Sequence, residues 1–440
     1  MSDAVQEKTG LGNYFVANYP PFSFWTPGGL TAAQRALQAP ANPETPLGLY
    51  LHIPFCRQRC KFCYFRVYTD KNARDVETYL DALVHEIELY SRTPVAAGRA
   101  LQFVYFGGGT PSFLSSSQLR SLCERIHKYF TWDTAEEVTF ECEPGTLQQP
   151  KLETLKELGV TRLSLGIENF DDKILEANGR AHLSAEILRA YGWARDLGFP
   201  QINIDLIAGM VGETWENWKT CVQKTIELDP DSVTIYQMEL PFNTVYSKEL
   251  RVIGQEETAS FTVADWPTKR AWVDYAFAEL ANAGYEVSSA YTMVKNRERC
   301  KFVYRDSLWH GADMFGTGVA SFGHVSGVHM QNVDGWDEYV NKLAKDELPL
   351  NRALPVGPKE RLIREMILQL KTGRLDIPYF QRKFGVDVRD EFRKGFDLLE
   401  AEGILDRKTG GVELTRKGLL EVDRRLPTFF LPEHLSSRYT

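Results

Sequence analysis

The 440-residue chain contains no apolar run approaching the ~18 residues that a membrane-spanning helix requires. Its first residues, MSDAVQEKTG, carry no basic segment leading into an apolar stretch, so no secretory signal is expected. It lacks a positive excess: 51 Lys and Arg stand against 59 Asp and Glu, a formal net charge of −8 at pH 7. That argues against general nucleic-acid binding, although a few local cations would suffice for an anionic small molecule. Cysteines are few and odd in number, seven, and three of them fall within eight residues. This is poor arithmetic for a disulfide scaffold and good arithmetic for a metal site in a reducing compartment, so a cytoplasmic location is expected. Apolar material is plentiful, 43% of residues against 25% charged, and the length suggests two or three domains.

Residues 1–45 show no clear periodicity and are rich in Pro, Gly and aromatics (Tyr14, Phe15, Tyr19, Phe22, Phe24, Trp25). They read as an N-terminal arm packed on the main body. From 46 to 290 the pattern alternates. Apolar runs LGLYLHI, LQFVYF, EVTFEC, TRLSLGI, QINIDLI and SVTIYQMEL are interleaved with amphipathic helical stretches such as DVETYLDALVHEIELY and TWENWKTCVQKTIEL. Near-continuous apolar strands alternating with helices predict a parallel sheet built from βαβ units. Six strands are too few for a closed eight-stranded barrel unless the weaker region 267–290 adds more, so the expected fold is α/β, an incomplete (β/α)6-type barrel. Residues 291–354 read as a loop region closing the barrel mouth. From 355 to 440, three helical patterns and a Gly-Gly turn predict a helical, winged-helix-like domain, which covers substrate or packs on the body rather than binding DNA.

Cys56, Cys60 and Cys63 form a C-x3-C-x2-C spacing directly after the first predicted strand. Soft thiolates suit Fe–S clusters, and three of them can hold three irons of a cubane, leaving the fourth iron open to a ligand that is not protein. A structural zinc site would want a fourth Cys or His close by, and His52 lies before the cluster on a strand. A purely structural core would exclude Arg57, Gln58, Arg59 and Lys61 from the same loop.

This spacing resembles the radical S-adenosylmethionine (SAM) superfamily, and YLHIPFC, GGGTPS and NIDLIAG together resemble the oxygen-independent coproporphyrinogen III oxidase family within it. The likeness runs from about residue 45 through the winged-helix-like end. It implies a 4Fe-4S cluster, one or two SAM molecules, a small-molecule substrate, an electron donor such as flavodoxin or ferredoxin, and a monomer. It also implies SAM contacts. Gly108, Gly109 and Thr110 would meet the amino group and Glu141 the ribose; Tyr50, Phe62, Met238 and Phe322 would line the pockets. Glu168, Arg180 and Asp205 fall where the family binds a second SAM. Each residue has a plainer reading as well: a tight turn for the glycines, a loop carboxylate for Glu141, a surface charge for Arg180, packed core for Tyr50, Met238 and Phe322. Asp205, in an otherwise apolar strand, needs a polar partner. His324 and His329, in a Gly-rich stretch, could serve proton transfer or merely sit in a turn, and Cys300 has basic neighbours that would lower its pKa.

Two positions depart from the oxidases. Phe65 stands where they carry a fourth cysteine, and Glu168 stands where they carry glutamine, whose amide can donate as a carboxylate cannot. The expected function is hydrogen abstraction from a tetrapyrrole-like or aromatic substrate, either oxidative decarboxylation of coproporphyrinogen III or a variant of it. The alternatives are methyl or methylene transfer using two SAM molecules, and a haem-binding chaperone.

Overall fold

A computed structural model describes residues 15–241, 243–253, 263–407 and 410–435; Tyr14 lies outside them. The six apolar runs form parallel strands β1 (Leu47–Ile53), β2 (Leu101–Gly108), β3 (Glu137–Cys142), β4 (Arg162–Glu168), β5 (Gln201–Ala208) and β6 (Ser232–Gln237), hydrogen-bonded in sequence order. Only Tyr50 of β1 escapes full burial, which is why the strand reads as a continuous apolar run. Helices Ala73–Ser91, Ser116–Ile126, Gln149–Glu157, Ser184–Asp196 and Trp215–Leu228 follow β1 to β5 and pack on the outer face.

The region between 267 and 354 differs from expectation. Residues 267–290 are mostly the helix Trp266–Asn282, and they contribute only the two-residue strand β7 (Glu286–Val287). The segment read as a closing loop, 291–354, supplies β8 (Thr292–Val294), β9 (Asp313–Thr317), β10 (Phe322–Val325), β11 (Val328–Asn332) and β12 (Leu350–Pro355). The sheet therefore has twelve strands in the order β12-β11-β10-β9-β1-β2-β3-β4-β5-β6-β8-β7. β9 runs parallel to β1, whereas β10, β11 and β12 continue beyond it antiparallel. Gly316 explains the tight return of β10: a Cβ there would lie 1.9 Å from the Phe322 carbonyl oxygen.

Residues 358–420 form helices Pro358–Leu370, Ile377–Phe384 and Arg393–Ala401, the hairpin Leu405–Asp406 with Glu413–Leu414, and helix Arg416–Leu420, around a second core. The arm joins this core. Tyr19 is fully buried, and its hydroxyl accepts from Leu431 N at 3.0 Å and meets His434 Nδ1 at 2.8 Å. The buried Lys371 ammonium donates to the Val16 carbonyl and pairs with Asp423 at 2.9 Å.

One buried carboxylate positions the first strand. Glu86, on helix Ala73–Ser91, accepts from Gly318 N (2.8 Å), Tyr339 Oη (2.6 Å) and Asn332 Nδ2 (2.6 Å). Tyr79, on the same helix, donates to the His52 carbonyl at 2.7 Å and accepts from Val319 N. Helix, β1 and the turn after β9 are thereby fastened together. Replacing Glu86 with leucine strands these donors and is expected to cost about 3 kcal/mol in chemical unfolding. Burial also raises the Glu86 carboxyl to about 7. A raised acid favours the folded state below its unfolded value near 4.5, and that contribution is lost as pH rises through 7. Glu86→Leu should accordingly flatten the stability profile across that window.

Candidate functional site

The cysteine loop leaves β1 at Ile53, at the end of the sheet where the glycine turn also emerges from β2. It folds back on itself, with Cys56 N bonded to the Tyr68 carbonyl and Tyr68 N to the Pro54 carbonyl. Cys63 N bonds to the Cys60 carbonyl, and Arg59 Nη2 donates to the Cys63 carbonyl at 3.2 Å. The three thiols are half-buried, and Cys60 lies close enough to both neighbours to raise Cys56 and Cys63. Burial pushes Cys56 up to about 11 and Cys63 up to about 12, values that metal coordination would override by taking the proton. Among the described residues no three His, Cys, Asp or Glu side chains converge on a point where one ion would sit. Three soft thiols on one loop are the kind of donor set that an iron–sulfur cubane takes at three of its corners.

The glycine turn packs directly on this loop. Gly109 N donates to the Ile53 carbonyl (2.9 Å), Thr110 N to the Phe55 carbonyl (2.8 Å), and Thr110 Oγ1 to Cys56 Sγ (3.3 Å). Gly108 has φ +111°, and a Cβ there would lie 2.5 Å from His52 Nδ1, so the turn requires glycine. His52 itself bonds Tyr50 Oη and the Arg66 carbonyl, and burial lowers it to about 4.

Glu141 accepts from Tyr105 Oη at 2.7 Å and Gly108 N at 3.2 Å. Burial raises it to about 7. Asp205 has the partners its strand demanded, Ser164 Oγ at 2.8 Å and Asn203 Nδ2 at 2.9 Å; burial raises it too. Glu168 sits at a register shift between β4 and β5 with φ +67°, a strained backbone for a residue with a side chain. Its carboxylate lies 3.5 Å from Arg180 Nη1, and burial raises it to about 7 against the pull of that guanidinium. Arg180 is not a surface charge: Nη1 also donates to Cys60 Sγ at 3.3 Å and Nη2 to the Gly166 carbonyl at 2.5 Å.

Phe62 and Met238 share an apolar cluster with Ile174, Ile207, Met210, Val211 and Tyr246 beside the loop. Lys269, lowered to about 8 by burial, donates to the Met238 carbonyl at 2.8 Å. Phe322 has its ring against Phe22 and Trp25 of the arm. His324 and His329 face each other across the β10–β11 hairpin, Nδ1 to Nδ1 at 2.8 Å, under the stacked Trp25 ring. Burial lowers both, and they form a neutral internal pair rather than an open proton relay. Cys300 departs from expectation: burial raises its thiol and outweighs the basic neighbours.

Several residues had no local signal. Arg57 grips Glu143 through Nε (3.1 Å) and Nη2 (2.7 Å), and His182 meets the same carboxylate at 3.3 Å. Burial pushes Glu143 up, but these bonds outweigh it and hold the carboxyl at about 2. Tyr105 stacks between Tyr50 (5.9 Å) and Tyr304 (4.2 Å). The register Tyr50↔Tyr105 would have found it from the two aligned strands. Tyr64 and Tyr236 keep 42% of their surface open, with the Tyr64 ring against Phe65 (4.7 Å) and the Tyr236 ring against Tyr291 (6.4 Å). Tyr64 follows Cys63 in the loop, and Tyr236, on β6 beside the Asp205 strand β5, feels the Asp205 and Glu141 carboxylates.

Residues 50–224 match the radical SAM superfamily, and residues 356–420 match the HemN C-terminal domain. The oxygen-independent coproporphyrinogen III oxidase of Escherichia coli is 27% identical over 406 residues, which cover 88% of this chain and 86% of that one. The heme chaperone HemW of Bacillus subtilis is 28% identical over 380 residues, 84% of this chain and 96% of that one. The solved structure of coproporphyrinogen III oxidase from Escherichia coli superposes with a TM-score of 0.80 at 24% identity, covering 94% of this chain and 96% of the other.

Proposed function

Because the chain belongs to the radical SAM superfamily and carries a HemN C-terminal domain, we propose that Cys56, Cys60 and Cys63 hold a 4Fe-4S cluster whose open iron binds SAM. Once reduced by a carrier of the flavodoxin or ferredoxin kind, this pair supplies a 5′-deoxyadenosyl radical by one-electron cleavage of the sulfonium C–S bond. The radical would abstract hydrogen from a tetrapyrrole-like or aromatic substrate, with coproporphyrinogen III decarboxylation the first candidate. The observation that carries the reading is a single end of the sheet. There a three-thiol loop, a glycine turn bonded to it, and the Glu141 carboxylate that holds that turn come together beside the Tyr50–Tyr105–Tyr304 stack.

The chain's own residues have these roles. The Glu141 carboxylate accepts ribose hydroxyls, and the Gly108–Thr110 backbone meets the amino group. Tyr50, Phe62 and Met238 line the SAM pocket. Asp205, Glu168 and Arg180 surround the adjoining space, and the Tyr50–Tyr105–Tyr304 stack walls it against bulk water. Phe322, whose ring also packs on Phe22 and Trp25, lines the SAM pocket from the side of the arm.

The second reading is a haem-binding chaperone, favoured by the likeness to HemW over nearly that protein's full length. Neither relative compared above carries a carbon-transfer name, and that reading drops to third. The test is anaerobic reconstitution with SAM, a reductant and coproporphyrinogen III, with products identified by mass spectrometry. 5′-Deoxyadenosine with carbon dioxide supports the first reading. Stoichiometric haem binding without substrate-dependent turnover supports the second. S-Adenosylhomocysteine together with a heavier product would displace both.

A further inference from the structure

Two side chains reach the cysteine sulfurs from outside the loop: Thr110 Oγ1 is 3.3 Å from Cys56 Sγ, and Arg180 Nη1 is 3.3 Å from Cys60 Sγ. Both are placed by rigid surroundings. Thr110 is anchored through its own N–H to the Phe55 carbonyl. Arg180 follows Asn178, whose buried amide donates to the Ile174 and Val211 carbonyls and accepts from Val211 N and Tyr246 Oη. Asn178 also takes the Lys61 N–H on its carbonyl, so this segment and the cysteine loop move as one. Gly179, at φ +73°, lets the two backbones close: a Cβ there would lie 3.3 Å from the Arg59 carbonyl oxygen.

Resting on the cluster reading above, we infer that Arg180 and Thr110 set the reduction potential of the cluster by donating to its thiolate ligands, and that Glu168 opposes Arg180. Reduction places one more electron on a cluster that already carries negative thiolates. A donor on a sulfur, and above all a charged one, stabilises that added charge and raises the potential. A carboxylate 3.5 Å from the same guanidinium draws part of that field away. Glu168 stands where the oxidases carry an uncharged amide, so this chain should hold a less easily reduced cluster than the same chain with glutamine there. These are positioning residues that act through the sulfurs. The transfer itself is balanced, with one electron from the external carrier and no bond made or broken at either side chain.

The experiment is a redox titration of the reconstituted protein without SAM, followed by the electron paramagnetic resonance of the reduced cluster, which reads potential independently of activity. Arg180→Met should lower the reduced-to-oxidised ratio at fixed potential about tenfold, equivalent to about 59 mV for one electron. Thr110→Val should lower it by a smaller factor, and Thr110→Ser should restore it. Glu168→Gln should move the ratio the opposite way. Potentials unchanged in Arg180→Met and Thr110→Val, with the cluster intact, would overturn the inference. So would loss of the cluster from both, which would assign these side chains to assembly. Failure of the wild-type protein to assemble a four-iron cluster would instead bring down the reading of the site.

Discussion

Cys60→Ala, purified and reconstituted without oxygen, is expected to emerge essentially colourless, with iron and sulfide reduced to traces. The loop offers three thiols, and removing the central one leaves two, too few to retain a cubane whose fourth corner has no protein ligand. No other cysteine can step in. Cys123, Cys142, Cys221 and Cys300 are buried elsewhere, and Phe65 occupies the nearby position where related oxidases carry a further thiol. Iron analysis and the visible spectrum check the result. A spectrum like that of the wild type would remove Cys60 from the ligand set.

The next largest effect is expected at Glu141. Its carboxylate holds the Gly108 amide and the Tyr105 hydroxyl and, in the proposed complex, the ribose. Hydrogen bonds to a charged acceptor contribute roughly 1.5–3 kcal/mol each, so Glu141→Ala should weaken SAM binding by about 3 kcal/mol, more than a hundredfold. Equilibrium dialysis of the cluster-loaded protein measures this, with an unchanged cluster spectrum as the control. The pH dependence has a definite sign. Because burial raises the Glu141 carboxyl to about 7, its charged fraction falls as pH drops below 7, and wild-type affinity should fall with it. In Glu141→Gln the affinity should be weak throughout and its slope across neutral pH shallower.

Much of this arrangement could be read from the residue order. β1 to β6 are covered on both faces and so appear as unbroken apolar runs, and the cysteines announce themselves by spacing alone. The strands beyond β6 were hidden for physical reasons. β8 is three residues long, and β9 to β11 are interrupted by Gly316, Gly318, Gly323 and Gly327, which lower strand propensity while making the tight hairpin possible. Helix Trp266–Asn282 buries Lys269 as well as its apolar residues, which blurs the 3.6-residue pattern. Within the site, residues at strand ends were visible because each strand delivers its last side chains to one place. The Arg57–Glu143 and Glu143–His182 contacts join residues 86 and 39 positions apart, and the Tyr105–Tyr304 stack residues 199 apart, and no local pattern encodes them. The contacts of Phe322 with Phe22 and Trp25 were hidden for a related reason: the direction in which the aromatic arm runs depends on the second core, not on its own residues.

The arm has a consequence for how the chain matures. Tyr19 is sealed by Leu431 and His434, partners 412 and 415 positions away. During synthesis, therefore, Tyr19 waits unburied until almost the entire polypeptide has left the ribosome, while the sheet and its cysteine loop are free to form much sooner. Contacts of such long range close late and slowly. The clasp between the two distant segments is accordingly among the last contacts this chain can make.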